Sequence, residues 1–451
     1  MLLRFRVANH LSLRDEHELS LIAGPHKEKD SSSVIFSLDD VPGSKGRRAL
    51  PAAVIYGANA SGKSNVVAAL RYMREAVLRS QLDWAPDSGV HQEPFLLDAE
   101  YLYEPSVFEV DIVLDDIRYQ YGFEAKGSVF SAEWLYSYPQ GRPARLFERH
   151  YQSFKFGKGL KGEKATIARL TRENSLFLSA ATQYGDSFMK TITRYFNSIR
   201  GVEGIHFEAA YVRGRFNHIG DVDTRIISFL SQIDIGISSY EMEEVKFTEE
   251  QKEKIYAPFK DEYRPKIPET FRDLKLVHSR LGGVKNSIML ERESSGTRRL
   301  LIILHEIFAS LDEGTPFVLD EIDSSFHTLA VEHIISLFAS KETNPYGAQL
   351  IATTHDTNLL RSACLRRDEI WFTEKDRDGA TDLYPLTDYS PRASENLEKG
   401  YLVGRYGAIP FAGPIPSLIA GRGGEPNGSR KERSQATETD ETATGRHMDL
   451  H

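Results

Sequence analysis

The sequence predicts an α/β protein, in which a doubly wound mixed sheet is joined to an antiparallel β subdomain and carries an inserted, mainly helical lobe. Three observations lead there. A short apolar run, Ala52-Ala53-Val54-Ile55-Tyr56, feeds directly into Gly57-Ala58-Asn59-Ala60-Ser61-Gly62-Lys63-Ser64. From Ile288 to Thr354 strand-like and helix-like patterns alternate. Between these parts, Phe95 to Tyr138 alternates apolar with polar residues, as a half-buried antiparallel sheet does.

The chain has 451 residues, 40% of them hydrophobic and 27% charged, ordinary values for a globular protein. No run approaches the roughly 18 apolar residues of a membrane span, so a cytosolic protein without membrane contact is expected. The opening MLLRFRVANHLSLRD alternates in the manner of a strand, not of a signal peptide. With Cys364 as its one cysteine, the chain has neither an internal disulfide nor a cysteine metal cluster. A net charge of −9 removes the chain-wide cationic field that would announce nucleic-acid binding, leaving such contact to a local patch or a partner.

Residues 2–24 read as an edge hairpin, followed by a polar loop from Gly24 to Arg48 and the apolar strand ending at Tyr56. Val66, Val67, Leu70, Met73 and Val77 fall at helical spacing over Asn65 to Leu78. Further helices are expected over Thr297–Leu311 and Thr328–Ser340, and strands over Pro316–Asp320 and Gln349–Thr354. The expected organisation is an N-terminal half-head at 1–150 and a charged, mainly helical insertion at 151–280. A C-terminal half-head at 281–418 and a tail at 419–451 follow. The Lys/Glu-rich stretch from Glu241 to Lys260 reads as a solvated face. The tail has almost no apolar residues to offset its ordering entropy and is expected to be disordered.

Gly57 to Ser64 match G-x-x-x-x-G-K-[ST] between a strand and a helix, the context that pattern needs. In such a loop, glycines let successive N–H groups of Gly57, Asn59, Ala60, Ser61, Gly62, Lys63, Ser64 and Asn65 turn toward phosphates at a helix N-terminus. Lys63 is expected to bridge the β- and γ-phosphates, and the Ser64 hydroxyl to ligate Mg²⁺. Phe317-Val318-Leu319-Asp320-Glu321-Ile322-Asp323 is an apolar strand ending in carboxylates. Asp320 is expected to hold Mg²⁺ through water and Glu321 to polarise the attacking water, while Asp323 reads as loop structure or a subunit contact, beside a place as a third carboxylate of the site. Thr353-Thr354-His355-Asp356 ends another strand in a histidine whose neutral imidazole suits a γ-phosphate. Glu293-Ser294-Ser295-Gly296-Thr297 is a small-residue turn opening a helix, which by itself is ordinary capping.

The order of P-loop, insertion, Ser-Ser-Gly turn, acidic strand and histidine strand resembles the ABC/SMC-type ATPase heads rather than ring-forming AAA+ motors. That resemblance implies two heads sandwiching two ATP molecules, with Ser294, Ser295 and Gly296 meeting the γ-phosphate held by the partner's P-loop. It also places His327 in the region that couples the paired sites, beside a plain helix-capping role. The absence of an Asn-Lys-x-Asp guanine reader agrees with ATP. Pro105-Ser106-Val107-Phe108-Glu109, Tyr119-Gln120-Tyr121-Gly122-Phe123, Glu133-Trp134-Leu135 and Gly404-Arg405-Tyr406-Gly407-Ala408-Ile409-Pro410-Phe411 narrow the resemblance. They are similar to the bacterial abortive-infection ATPases related to the OLD-family and RloA-type proteins. This implies a cytoplasmic phage-defence sensor of slow turnover, assembling as a homodimer or larger homo-oligomer. A phage product would be its trigger, and a separate effector, a nuclease, its partner.

One departure stands out. OLD proteins carry their own TOPRIM nuclease, a module of roughly a hundred residues, whereas Asp376-Arg377-Asp378-Gly379 reads as a hairpin turn between short strands. No nuclease centre is therefore expected here. Two other functions stay open, a RecF/SMC-like repair ATPase acting directly on DNA and an assembly scaffold that uses ATP only to fold its head.

Overall fold

A computed structural model describes residues 1–25, 34–201, 222–233, 236–257, 269–279, 285–324, 326–362, 364–392 and 395–409. The expected tail at 419–451, and Pro410 and Phe411 of the narrowing segment, lie outside the described residues.

The apolar run before the P-loop becomes β5 (Ala52–Gly57), buried at every position. Its alternation serves two cores. Ala53 and Ile55 face one hydrophobic cluster while Ala52, Val54 and Tyr56 face the other, as expected of a strand covered on both sides. Around it runs a six-stranded sheet in the order β11-β15-β16-β5-β17-β18. Its other members are β11 (Arg200–Gly201), β15 (Pro316–Leu319), β16 (Gln349–Thr354), β17 (Ile370–Lys375) and β18 (Thr381–Pro385). All neighbours pair in parallel except the hairpin β17–β18 at one edge. In its turn, Asp376 accepts the N–H groups of Asp378 and Ala380 at 2.9 and 2.7 Å, the hairpin the sequence led us to expect.

The helix Lys63–Arg79 packs on the first face of this sheet through Val66, Val67, Leu70, Met73 and Val77. Helices Ser295–Glu313 and Thr328–Ala339 cover the other. The first core also holds a seven-stranded sheet in the order β10-β9-β8-β7-β6-β1-β2. It consists of β1 (Leu2–Ala8), β2 (His17–Ser20), β6 (Ser106–Leu114), β7 (Ile117–Lys126), β8 (Val129–Ser137), β9 (Ala144–His150) and β10 (Ser153–Phe156). Phe108, Tyr121, Phe123 and Phe130 are fully buried beneath it, each contributing about 1.5–3 kcal/mol by transfer from water. A minor pair, β3 (Phe36–Ser37) with β4 (Arg48–Ala49), lies in the polar loop.

Within 151–280, helices Lys164–Leu170, Phe177–Gln183 and Ser187–Ser198 join that first core. The segment also contains long strands. β12 (Ile237–Lys246) and β13 (Thr270–Ser279) pair over most of their length, and β14 (Lys285–Met289) completes a three-stranded sheet. The charged run conceals a period of two from 240 to 243, with Tyr240 and Met242 packed against the second core while Glu241 and Glu243 face water. It then caps the helix Glu249–Tyr256 through a reciprocal Thr248–Gln251 box.

Candidate functional site

The P-loop closes over strands that follow it by some three hundred residues in sequence. Ser61 turns its hydroxyl inward to Thr373, 2.6 Å away, and Thr381 donates to the Ser61 carbonyl at 2.9 Å. Gly62 sits at φ +104°, where a Cβ would meet the Thr381 hydroxyl at 2.1 Å. Conformation and space both demand glycine there. Asn65 ties the loop to the β1–β2 connection, its amide donating to Ser12 at 2.5 Å. Asn59, Ala60 and Ser64 remain exposed at the mouth.

Lys63 is 4% exposed, and its ammonium donates to the carbonyls of Gly57 and Ala58 at 2.9 and 3.0 Å. Its third contact is Nδ1 of His355, at 3.3 Å. Burial lowers the lysine's pKa, while Asp320, Asp323 and Glu321 pull it back up. The histidine can reach because β16, which it terminates, lies between β5 and β15. The same strand positions the acidic turn. The Thr353 hydroxyl donates to Asp320 at 2.5 Å and accepts the N–H of Glu321 at 2.7 Å. Asp323 accepts the N–H of His355 at 3.1 Å, so this third carboxylate fixes the two turns together and stands at the site while serving as loop structure. Lys63, Asp320, Glu321 and His355 therefore converge, with Glu321 and His355 exposed.

The Ser-Ser-Gly turn opens the helix Ser295–Glu313, which packs in the second core. Ser294 caps its helix by accepting the N–H of Thr297 at 3.0 Å, and Ser295 is exposed. Glu293 is fastened to Nε2 of His278 on β13 at 2.7 Å. In front of the turn opens a cavity of about 600 Å³ lined by Ser294, Gly296, Thr297, Phe326, His327 and Leu329. His327 caps its helix, Nδ1 accepting from the N–H of Leu329 at 3.2 Å.

A family model described as "AAA domain, putative AbiEii toxin, Type IV TA system" matches residues 52–361, well over half of the chain. The chain belongs to this AAA-domain family. No curated protein matches it significantly. Among solved structures, the Smc head domain with an extended coiled coil, bound to the C-terminal domain of ScpA, from Pyrococcus furiosus is 13% identical. That match covers 86% of this chain and 97% of the other, at a TM-score of 0.39. The Smc head domain with a coiled coil and joint from Pyrococcus yayanosii is 10% identical over 89% and 99% of the two chains, also at 0.39.

As a member of the AAA-domain family, the chain carries an ATPase-type domain, and its mixed α/β architecture with an antiparallel subdomain is a P-loop ATPase fold. The oxygen donors at the mouth suit a hard divalent cation. Ser64 presents a hydroxyl, and Asp320 a carboxylate oriented by Thr353.

Three features escaped sequence reading. Thr373 and Thr381 are strand threonines without any motif, and Thr353 had no role of its own in the histidine strand, yet the three anchor the acidic turn and the P-loop. Arg299, one helical turn beyond Ser295, donates to the Glu321 carbonyl at 3.1 Å. The narrowing segment, finally, is a packing device. Tyr406 is fully buried, stacks on Phe372 at 5.9 Å and donates to Glu395 at 2.6 Å. Arg405 pairs with the same Glu395, which is a C-terminal buttress.

Proposed function

We propose that this chain is an ABC-type Mg-ATP hydrolase whose heads pair on nucleotide, acting as the sensor and switch of an abortive-infection system that controls a separate nuclease effector. The observation that carries the hydrolytic reading is the placement of His355 between the P-loop lysine and the acidic turn, 3.3 Å from Lys63 and bonded to Asp323. The family's description with the AbiEii toxin and Type IV TA systems supports the abortive-infection setting. The exposed Ser295 and the cavity beside its turn support pairing, since a signature turn serves a partner's nucleotide.

In this reading Lys63 exchanges its two carbonyl partners for the β- and γ-phosphates, and the N-terminus of its helix adds a favourable dipole. Ser64 and Asp320 would hold Mg²⁺, which supplies neutralisation of phosphate charge. Glu321 orients a water for attack on the γ-phosphorus and takes its proton as the bond to the ADP oxygen breaks. His355 donates from Nε2 to the γ-phosphate, and Ser294 to Gly296 of a second copy close the cage. The two half-heads at 1–150 and 281–418 belong to one ATPase, a reading supported by β5 and β15–β18 sharing one sheet, to which the segment 151–280 contributes β11.

The test is Glu321→Gln. It should retain ATP, lower turnover by about 10²-fold or more, and accumulate an assembly visible by size exclusion with light scattering. Wild-type turnover and an unchanged mass distribution would defeat the switch reading.

One observation favours a second reading, direct contact with nucleic acid. A cavity of about 600 Å³ is lined by Arg71, Arg74, Arg79, Arg194 and Arg200, together with Glu306 and Glu313. Arg200 already pairs with both glutamates, at 3.1 and 2.7 Å, which weakens the field of the groove. DNA affinity falling steeply with salt would favour this reading.

A further inference from the structure

Glu321 has a backbone conformation that its side chain does not favour, at φ +52°. Three bonds hold it there. Its N–H is taken by Thr353, and its carbonyl accepts both from the N–H of Ser324 at 3.0 Å and from the Arg299 guanidinium at 3.1 Å. Thr353 and Ser324 belong to the strand bundle and to the turn itself. Arg299 comes from elsewhere, the helix Ser295–Glu313 whose first residue is one of the signature serines.

Ser295 and Arg299 are spaced i, i+4, on one side of one rigid helical turn. The guanidinium lies 5.7 Å from the ring centre of Phe326, beyond the acidic turn, and is half-buried beside Asp320, Glu321 and Asp323. Burial pushes its pKa down while those three carboxylates push it up, so the cation sits within their field. The sheet β12–β14 reaches the same helix start through His278 and Glu293.

We propose that Arg299 is a positioning residue that couples the signature turn to the base of its own chain: engagement of Ser295 by a partner's nucleotide shifts the helix start, and Arg299 sets Glu321 accordingly. Each head then hydrolyses its own ATP only while its signature turn is occupied by the other's. The proposal rests on the reading of Glu321 as the base and adds a regulation of that site.

The experiment compares steady-state ATP turnover of the full chain in the wild type, Arg299→Ala, Arg299→Lys and Glu321→Gln, with thermal unfolding of each. Arg299→Ala should lower kcat by about 10²-fold, as a misplaced reacting group does, with KM within about twofold. Arg299→Lys should recover part of kcat, because the lysine restores a cationic donor toward the Glu321 carbonyl. Wild-type kcat in Arg299→Ala alongside an inactive Glu321→Gln overturns the coupling and leaves the base intact. Equal losses in Ala and Lys variants, accompanied by a raised KM and a lowered melting point, also overturn it, as the arginine would then only support the fold. Wild-type turnover in Glu321→Gln overturns the base and the coupling together.

Discussion

The Lys63 ammonium and Nδ1 of His355 are 3.3 Å apart, and because lysine can only donate, His355 accepts at Nδ1 and carries its proton on Nε2. The P-loop lysine is thus satisfied from within, by two carbonyls and an imidazole, and the histidine's remaining N–H is free to donate. His355→Ala should lower turnover by about 10- to 100-fold while changing nucleotide affinity by no more than about threefold. Lys63→Ala should weaken affinity itself by about tenfold or more, since it removes charge-assisted bonds to phosphate. Fluorescent-nucleotide titration and phosphate release separate the two, and unimpaired hydrolysis by His355→Ala would exclude its role.

If the signature turn serves a partner, two inactive variants should restore one another's pairing. Lys63→Ala destroys a chain's own nucleotide site, and Ser295→Arg blocks the exposed turn it offers. A mixed dimer has one site with an intact P-loop and an intact turn. Equal mixing should therefore return nucleotide-dependent dimers by light scattering, half of all pairs being mixed and each holding nucleotide at one complete site, while turnover stays low because the turn of the Ser295→Arg head is unoccupied. A mixture that pairs no better than its components would place the turn outside the site.

His10 should make the fold acid-sensitive above the carboxylate range. Its ring is 2% exposed, lies 5.5 Å from that of Tyr72 and 5.1 Å from that of Phe108, and burial lowers its pKa from 6.5 to about 4. Between those values the unfolded chain binds more protons than the folded one, so stability falls as pH falls from 6.5 toward 4 and levels off below. The full effect is about 3 kcal/mol. Urea midpoints measured across this window should slope for the wild type and slope less for His10→Leu. Equal slopes would show that the histidine is not buried as described.

Glu133 should be a stability residue rather than a functional one, although it lies in a segment that narrows the family resemblance. Its carboxylate accepts the N–H groups of Phe177 and Leu178 at 2.6 and 3.0 Å and the Tyr121 hydroxyl at 3.0 Å. Arg149 lies 3.7 Å away, and both side chains are fully buried. Glu133→Ala removes the counter-charge of a buried guanidinium, which keeps its bonds to the carbonyls of Tyr151, Ser175 and Arg172, and leaves a helix start unsatisfied, at about 3–5 kcal/mol. Chemical denaturation measures the loss, and a midpoint within error of wild type would contradict the arrangement.

Legibility followed chain distance. The P-loop and its helix could be read because eight consecutive residues carry their chemistry and the helix repeats its apolar face locally. The acidic strand and histidine strand were legible as types, since each ends an apolar run in a polar group. β12 was hidden because charge dominates its composition, while the two residues that pack inward, Tyr240 and Met242, count only once the second core exists. Arg299 had no signal beyond a position four residues after Ser295. Its partner is a backbone carbonyl, which any sequence provides.

The sequence by itself determined the ingredients: a phosphate loop, two carboxylates after a strand, a histidine after another, and a serine-rich helix start, in fixed order. Tertiary structure decided their adjacency. Placing β16 between β5 and β15 inverts chain order, so that the last motif in sequence, His355, lies between the first, Lys63, and the middle one, Asp323. That order follows from burying both faces of β5 between two cores, a requirement of the whole chain that no local pattern expresses.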